Sequence, residues 1–262
     1  VITGSAGLLG IEHAIAILDC NGKVVMTDVN KKNLLKAVNM LGKKYSTKIV
    51  SYVMDVTKPS SIDRVINNLR TSNTQIDILI NNAAIDPSLS SKLLKNFETF
   101  ELNQWNKEIS VGLTGIFLCT QKFGSIIAQN KNGGVILNIA SDLSIIAPDQ
   151  RIYERKGLKK EKQHKKPITY SAIKHGVIGL TKYTATYWAD RNVRCNAISP
   201  GGIDNNLNKN FKRKIQKLIP LKRMADKNEY RSAIQFLCSD ASSYMTGQNL
   251  EIGRAVQQEC RD

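Results

Sequence analysis

The sequence predicts an α/β fold in which one doubly wound parallel sheet is flanked by helices, and three observations predict it. Strand and helix patterns alternate along a chain of 262 residues, 42% of which are hydrophobic. A glycine-rich turn follows the first strand pattern, and polar side chains follow later strands where each ends. Repeated βα units of this kind form parallel sheets, and a chain of this length buries one large core. We therefore expect residues 1–262 to form a single Rossmann-type, dinucleotide-binding domain.

The first βα unit carries the glycines. Residues 1–3 end a strand, glycines follow at Gly4, Gly7 and Gly10, and an apolar-periodic helix runs to about residue 22. Such a turn lets the backbone approach a pyrophosphate, which the free N–H groups of the helix N-terminus attract. The next strand pattern, residues 23–28, ends in Asp28, which is positioned to bind adenosine ribose hydroxyls and to repel the 2′-phosphate of NADP. NAD is therefore the predicted cofactor, with NADP less favoured.

The remaining elements follow from periodicity and turn signals. Extended segments are predicted at 48–54, 76–80, 135–139, 193–198 and 249–252, and helices at 60–69, 103–129, 169–190 and 229–238.

Polar side chains follow these strands. Asp55 comes after the third strand, Asn81 and Asn82 follow the fourth, and Ser141 and Ser144 follow the fifth. Because ligands of open parallel sheets bind at the carboxyl ends of the strands, we expect these residues near the ligand.

Tyr170 and Lys174 are four residues apart in a helical segment and so share one helix face. A nearby ammonium favours the phenolate, which suits a tyrosine to act as an acid or base near neutral pH. His175, one position further, points about 100° away and is predicted to be a packing or surface residue.

Two segments hold most of the net charge of +16: residues 149–167 have eight basic and three acidic residues, and residues 207–223 have seven basic and no acidic ones. The first lacks periodicity and is interpreted as an irregular excursion beside the substrate mouth. One hypothesis is that both segments bind an anionic substrate. The other is that they are ordinary solvated faces. The residues proposed for the anion are Arg151, Arg155, Lys159, Lys209, Lys212 and Arg213.

Other function classes are disfavoured. The five cysteines are scattered and the three histidines lack ligand spacing, so free thiols and no metal site are expected. No apolar run is long enough to predict a membrane span, no leader is recognisable, and a cytoplasmic protein is expected. Nucleic acid is not the expected partner, since aromatic residues make up only 6% of the chain.

These motifs together resemble the classical short-chain dehydrogenase/reductase family over nearly the whole chain. They are Thr3-Gly4, Asp28, Asp55-Val56, the segment 81–84, Ser141, Tyr170 with Lys174, and the segment 196–201. The resemblance implies an oxidoreductase that transfers a hydride between NAD and a secondary alcohol or ketone. It implies that Tyr170 is the general acid/base, that Lys174 lowers its pKa and holds the nicotinamide ribose, and that Ser141 binds the substrate oxygen. The implied cofactor-binding residues are Thr3, Gly4, Gly7, Leu8, Leu9, Asp28, Asp55, Val56, Asn82, Ala83, Ala84, Tyr170, Lys174, Pro200, Gly201 and Ile203.

The chain departs from the family pattern at several positions. Leu8 replaces a glycine, which gives a spacing similar to the sugar-nucleotide-modifying branch and leaves an NAD-retaining epimerase or dehydratase as an alternative. Gly112 stands where the family commonly has a catalytic asparagine, so a non-catalytic dinucleotide-binding homologue is a second alternative. Ser141 and Tyr170 are 29 positions apart, which makes residues 149–167 an insertion.

Finer expectations also come from resemblance. The insertion and the sequences of residues 187–190 and 245–249 resemble those of a bacterial subgroup associated with flagellin modification and surface-glycan sugars. If the two basic segments bind the substrate, the expected substrate is a phosphorylated sugar or a nucleotide sugar. Helices 103–129 and 169–190 are similar to the family's subunit interface, which implies a homodimer or homotetramer.

Overall fold

A computed structural model describes residues 1–85, 96–205 and 207–253 of the protein. Within these residues, seven parallel strands form one sheet in the order β3-β2-β1-β4-β5-β6-β7. The chain order reverses between β1 and β4, so the carboxyl ends of these two strands flank the crevice in which such sheets bind ligands. The strands are β1 Ile2–Thr3, β2 Val24–Asp28, β3 Ile49–Val53, β4 Ile78–Asn81, β5 Gly134–Ile139, β6 Val193–Pro200 and β7 Asn249–Ile252.

Helices connect the strands and cover both faces of the sheet, as predicted. One face carries α1 and α2, with α9 packed against them; the other carries α3, the helical run Leu102–Ile127 and α7. The helices are α1 Leu8–Asp19, α2 Lys31–Tyr45, α3 Pro59–Thr71, α4 Leu102–Ile109, α5 Gly115–Cys119, α6 Ser125–Ile127, α7 Ile168–Tyr187, α8 Lys209–Leu218 and α9 Arg231–Leu237.

The run Leu102–Ile127 comprises α4, α5 and α6, joined by π-helical turns at Ser110–Thr114 and Thr120–Gly124. By length and composition it could cross a membrane. However, Cys119, Phe123 and Ile127 are fully buried in the hydrophobic cluster that this face of the sheet shares with α3, so this end of the run packs within the fold.

The segment 149–167 forms a compact excursion between β5 and α7, with short 3₁₀ turns at Gln150–Tyr153 and Lys160–Lys162. Its two ends meet where the Gln150 side chain accepts a hydrogen bond from the Lys166 backbone N–H at 2.9 Å. Inside it, the Gln163 amide bonds the backbone of Arg155 and Leu158. The predicted irregular excursion is therefore held by specific bonds.

Candidate active site

The glycine-rich turn lies where β1 enters α1. Gly4 has a φ of +61°, and a Cβ there would lie 2.7 Å from the Cα of Ala83. A Cβ at Gly10 would lie 2.4 Å from the Gly4 carbonyl oxygen. Gly4 must therefore be glycine because of its positive φ and because a Cβ does not fit. At Gly10 the lack of space for a Cβ is the reason. Gly7 caps α1 in an extended conformation, so Leu8 and Leu9 form the first helical turn, and their free N–H groups are available to a pyrophosphate.

Thr3 and Asn82 join the ends of β1 and β4. The Thr3 hydroxyl accepts hydrogen bonds from the backbone N–H groups of Asn82 and Ala83, each at 3.0 Å. The Asn82 amide donates to the carbonyls of Thr3 and Gly4 at 3.0 and 2.9 Å. Asn82 therefore fixes the carbonyls of the glycine-rich turn, while Ala84, two residues on, is exposed.

Asp28 ends β2 beside the same turn. Its carboxylate accepts hydrogen bonds from the backbone N–H groups of Ala6 at 3.2 Å and Asn30 at 2.9 Å. Each carboxylate oxygen keeps a further lone pair, so the half-buried group can still accept from ribose hydroxyls.

Asp55 and Val56 follow β3. The Asp55 carboxylate accepts from the Thr57 backbone N–H at 3.0 Å and the Thr57 hydroxyl at 2.7 Å. Partial burial opposes ionisation, yet these bonds and the nearby Lys58 outweigh it and lower the pKa of Asp55. Val56 is buried against Gly115, where a Cβ would lie 2.7 Å from a Val56 methyl carbon.

Ser141 follows β5 and begins a 3₁₀ turn, Asp142–Ser144, that packs against α7. It is buried, and its hydroxyl lies 2.9 Å from a carboxylate oxygen of Asp142. Ser144 lies behind it: the Ser144 hydroxyl donates to the Ser141 carbonyl at 2.6 Å and lies 2.9 Å from the Ser199 hydroxyl. Ser144, also a candidate hydroxyl in the sequence, is thus part of the support for this turn.

Tyr170 and Lys174 lie on the first turns of α7. The Lys174 ammonium is buried and donates to the Ile139 carbonyl at the end of β5, at 2.7 Å. It also lies 5.8 Å from the centroid of the Tyr170 ring. The pair is therefore anchored to the strand end that leads into Ser141, and the structure brings the three predicted catalytic residues to one edge of the sheet.

The segment after β6 closes this edge. The Gly201 N–H donates to the Ile252 carbonyl at 2.8 Å, which joins the Pro200-Gly201 turn to β7. Ile203 forms an isolated parallel bridge with Ala225 and packs against the core.

Asn81, which the sequence predicts at the ligand edge, and Asn138 of β5 are both part of the core. The Asn81 amide donates to the Asn138 side-chain oxygen at 2.8 Å and to the Thr120 hydroxyl at 3.0 Å. The Asn138 amide donates to the Thr181 hydroxyl at 2.9 Å. Both asparagines are about 1% exposed, so this network links β4, β5, α7 and the helical run inside the domain.

Sequence reasoning missed the buried carboxylate of Glu108. Glu108 of α4 is 3% exposed and accepts hydrogen bonds from Thr169 and Gln104. One turn later, Gly112 packs against Ile173, and a Cβ at Gly112 would lie 2.9 Å from an Ile173 methyl carbon. Ile173 thus fills the space that a larger side chain at position 112 would need. A helical pattern alone carries no signal for this pairing, because it depends on how two distant helices cross.

The two basic segments contact each other. The ring of Tyr153 in the excursion lies 5.4 Å from the ring of Phe211 in α8, and the Lys214 ammonium donates to the carbonyls of Arg151 and Glu154 at 3.1 and 2.8 Å. Of the six residues proposed to bind an anion, Arg151 is ion-paired with Asp149, and Lys212 with Asp204. These two cations are therefore already engaged within the protein.

Comparison with known proteins adds an independent observation. A family model described as enoyl-(acyl carrier protein) reductase matches residues 4–253. A 3-oxoacyl-(acyl-carrier-protein) reductase of Thermotoga maritima is 30% identical over 257 residues, covering 96% of this chain and 94% of the relative. The chain belongs to the classical short-chain dehydrogenase/reductase family.

Other members of the family are equally similar. An NAD-dependent glycerol dehydrogenase of Listeria innocua is 30% identical, with 96% of this chain and 91% of the relative covered. A solved short-chain dehydrogenase of Leptospira borgpetersenii with bound NAD⁺ is 31% identical, with a TM-score of 0.80 and coverage of 96% of this chain and 89% of the other. Further solved structures of the same fold hold NAD⁺ or NADP.

As a short-chain dehydrogenase/reductase, the protein is an oxidoreductase of the class that acts on alcohols and ketones with a nicotinamide dinucleotide. The residues present fit that cofactor. The Gly4–Ala83 contact leaves no room for a side chain where the turn must approach a pyrophosphate, and α1 directs unpaired N–H groups toward it. The family assignment also favours an enzyme over the non-catalytic alternative.

Proposed function

We propose that this protein is an NAD-dependent dehydrogenase or reductase in which Tyr170 exchanges a proton with the substrate oxygen. Lys174 favours the tyrosinate and Ser141 binds the same oxygen. The observation that supports the proposal is the bond from the Lys174 ammonium to the Ile139 carbonyl, because it holds Lys174, one turn after Tyr170 on α7, at the strand end two residues before Ser141. When bound, the nicotinamide accepts or supplies the hydride.

NAD is proposed over NADP because of Asp28. Its carboxylate lies next to the glycine-rich turn, where a ribose 2′-phosphate would meet a like charge. The proposed cofactor-binding residues are those that the family resemblance implies, from Thr3 and Gly4 to Ile203. Among them, Asn82 acts mainly by holding the turn in place.

The proposed substrate carries a secondary alcohol or the corresponding ketone. The molecule is a small polyol or a sugar-derived anion, such as a sugar phosphate or nucleotide sugar. Two observations support an anion: the basic excursion and α8 lie together, and Lys166 of the excursion lies over Tyr170.

We also propose a cytoplasmic location, a homodimeric or homotetrameric state, and membership of the subgroup of flagellin-modifying or surface-glycan enzymes. Phe117, Tyr183 and Tyr187 expose large hydrophobic surfaces on the helical run and α7, which suits a subunit interface.

The experiment is an assay of NADH formation across neutral polyols, sugar phosphates and nucleotide sugars, with the reverse reaction run on the matching ketones. We expect turnover on one substrate class, reduced at least 100-fold in Tyr170→Phe while NAD binding is kept. Tyr244→Phe is the control, since that tyrosine is fully exposed in a turn before β7.

The outcomes separate the alternatives. Equal turnover in Tyr170→Phe and the native enzyme would refute the assignment of the acid/base. Equal kcat/KM for a sugar phosphate and its neutral parent, with no dependence on salt, would refute the anionic substrate.

A further inference from the structure

Among the residues that the structure describes, two ammonium groups lie near the ring of Tyr170. The Lys166 ammonium lies 3.6 Å from the ring centroid, and the Lys174 ammonium lies 5.8 Å from it. Both distances are within the range over which a cation is attracted by an aromatic ring. The nearer cation belongs to the excursion and not to the tyrosine–lysine motif.

Lys166 is held at this position by its surroundings. Its backbone N–H donates to the Gln150 side chain at 2.9 Å, so it sits where the two ends of the excursion meet. The next residue, Pro167, is buried and caps the N-terminus of α7. The proline ring limits the backbone there, so the excursion delivers Lys166 at a fixed distance from the first turn of α7.

We propose that Lys166 is a positioning residue that acts through Tyr170, as a second cation that stabilises its tyrosinate form beside Lys174. This inference rests on the proposed function of Tyr170. Through Lys166, the excursion would contribute to the reaction at Tyr170, in addition to any contact with the substrate.

The physical reason is the location of the charge. The negative charge of a tyrosinate is partly delocalised into its ring, so a cation over the ring face stabilises the ionised form more than the neutral one. Lys174 is buried, lies further from the ring, and its ammonium also donates to the Ile139 carbonyl. Lys166 is half-buried, and solvent screens it more.

Other charged groups lie around this part of α7. Glu108 from α4 is bonded to Thr169, Asp142 from the turn after β5 is bonded to Ser141, and the exposed His175 ring is bonded to the Ser171 carbonyl. Glu108 and Asp142 would raise the titration midpoint of a nearby phenol, which is opposite to the effect of the two lysines.

The test is a titration of Tyr170 that needs no substrate. Tyrosinate formation is followed by near-ultraviolet absorbance, and subtracting the Tyr170→Phe curve isolates this one of eight tyrosines. The same titration is made in Lys166→Gln, Lys166→Arg and Lys165→Gln, each paired with its own Tyr170→Phe variant. Lys165→Gln is the matched control, because it removes the same charge from the neighbouring residue.

We expect the midpoint for Tyr170 to rise by about one pH unit in Lys166→Gln, while Lys166→Arg and Lys165→Gln leave it near the native value. An unchanged midpoint in Lys166→Gln would overturn the inference, as would an equal rise in Lys165→Gln. Circular dichroism of each variant confirms that the fold is kept, and if Lys166→Gln does not fold, Lys166→Met provides the same comparison.

Turnover separates this inference from the proposed function. If Tyr170→Phe is inactive and the titration of Lys166→Gln is unchanged, only the role of Lys166 fails. If Tyr170→Phe is fully active, the assignment of the acid/base fails, and the inference about Lys166 fails with it.

Discussion

At the scale of single residues, the environment decides what each polar side chain does. Asp28 and Asp55 both follow strands at the ligand edge, yet each is already bonded to nearby groups of its own chain. The sequence predicts their location because parallel strands end at a common edge. It does not predict these bonds, because they depend on the conformation of the following turn.

The first prediction concerns Asp28. We expect Asp28→Asn to bring the affinities for NADH and NADPH at least tenfold closer together, because the substitution removes the charge that opposes a 2′-phosphate. Titrations followed by nicotinamide fluorescence measure both affinities without a substrate.

The matched control is Asp19→Asn, an aspartate at the end of α1 paired with Lys44. It should leave the ratio of the two affinities unchanged. If Asp28→Asn also leaves it unchanged, Asp28 does not set the cofactor preference.

At the scale of elements, small residues let the helices approach. Gly112 of the helical run meets Ile173 of α7, and Gly176 of α7 meets Leu113, where a Cβ would lie 2.9 Å from a methyl carbon. The sequence predicts both helices from their periodicity. It cannot predict this interlocking, or the two π-helical turns, because these depend on which turns of the two helices are neighbours.

We expect Gly112→Ala to lower the free energy of unfolding by about 1–3 kcal/mol, because the added methyl overpacks the Ile173 contact. Gly42→Ala is the control: it lies in α2 with nothing within 4 Å of its added Cβ, so it should stabilise by about 0.5–1 kcal/mol. Urea unfolding measures both.

The double variant Gly112→Ala with Ile173→Ala tests whether the contact with Ile173 causes the lower free energy of unfolding. Its loss should be smaller than the sum of the two single losses, since each change makes room for the other. Additive losses would mean that the contact with Ile173 is not what restricts position 112.

At the scale of the whole molecule, the sequence predicts the fold class, the seven strands and the strand edge that holds the site, because strand periodicity and turn signals are local. The buried asparagine network was not predictable, because it depends on strand register: Asn81 pairs with Asn138 only when β4 and β5 align. The packing of the excursion on α8 joins segments about 60 residues apart, and no local pattern encodes it.

One buried histidine should contribute to the pH dependence of stability. His13 of α1 is fully buried, and within the described residues neither ring nitrogen has a hydrogen-bond partner. Burial lowers the pKa of His13 from 6.5 to about 4, although the neighbouring Asn82 acts in the opposite direction. The folded protein therefore keeps this ring neutral at a pH where the unfolded chain binds a proton.

Stability from this source is complete above pH 6.5 and is lost as the pH falls toward about 4, because only the unfolded state is then protonated. The full effect is on the order of 3 kcal/mol. We expect His13→Leu to flatten the fall in the free energy of unfolding between pH 7 and about 5, measured by urea unfolding. His175→Gln, at an exposed position, should keep the native slope, and a native slope in His13→Leu would contradict the prediction.

The bond between Lys214 and the excursion has a further consequence for the rate of the enzyme. Because one ammonium bonds the carbonyls of Arg151 and Glu154, and Tyr153 also packs on Phe211, we expect the excursion and α8 to move together. Access to Tyr170 from that side would then open and close in a single concerted step. Product release, where it limits turnover, would show one rate constant, and loosening this one contact would speed release without altering hydride transfer.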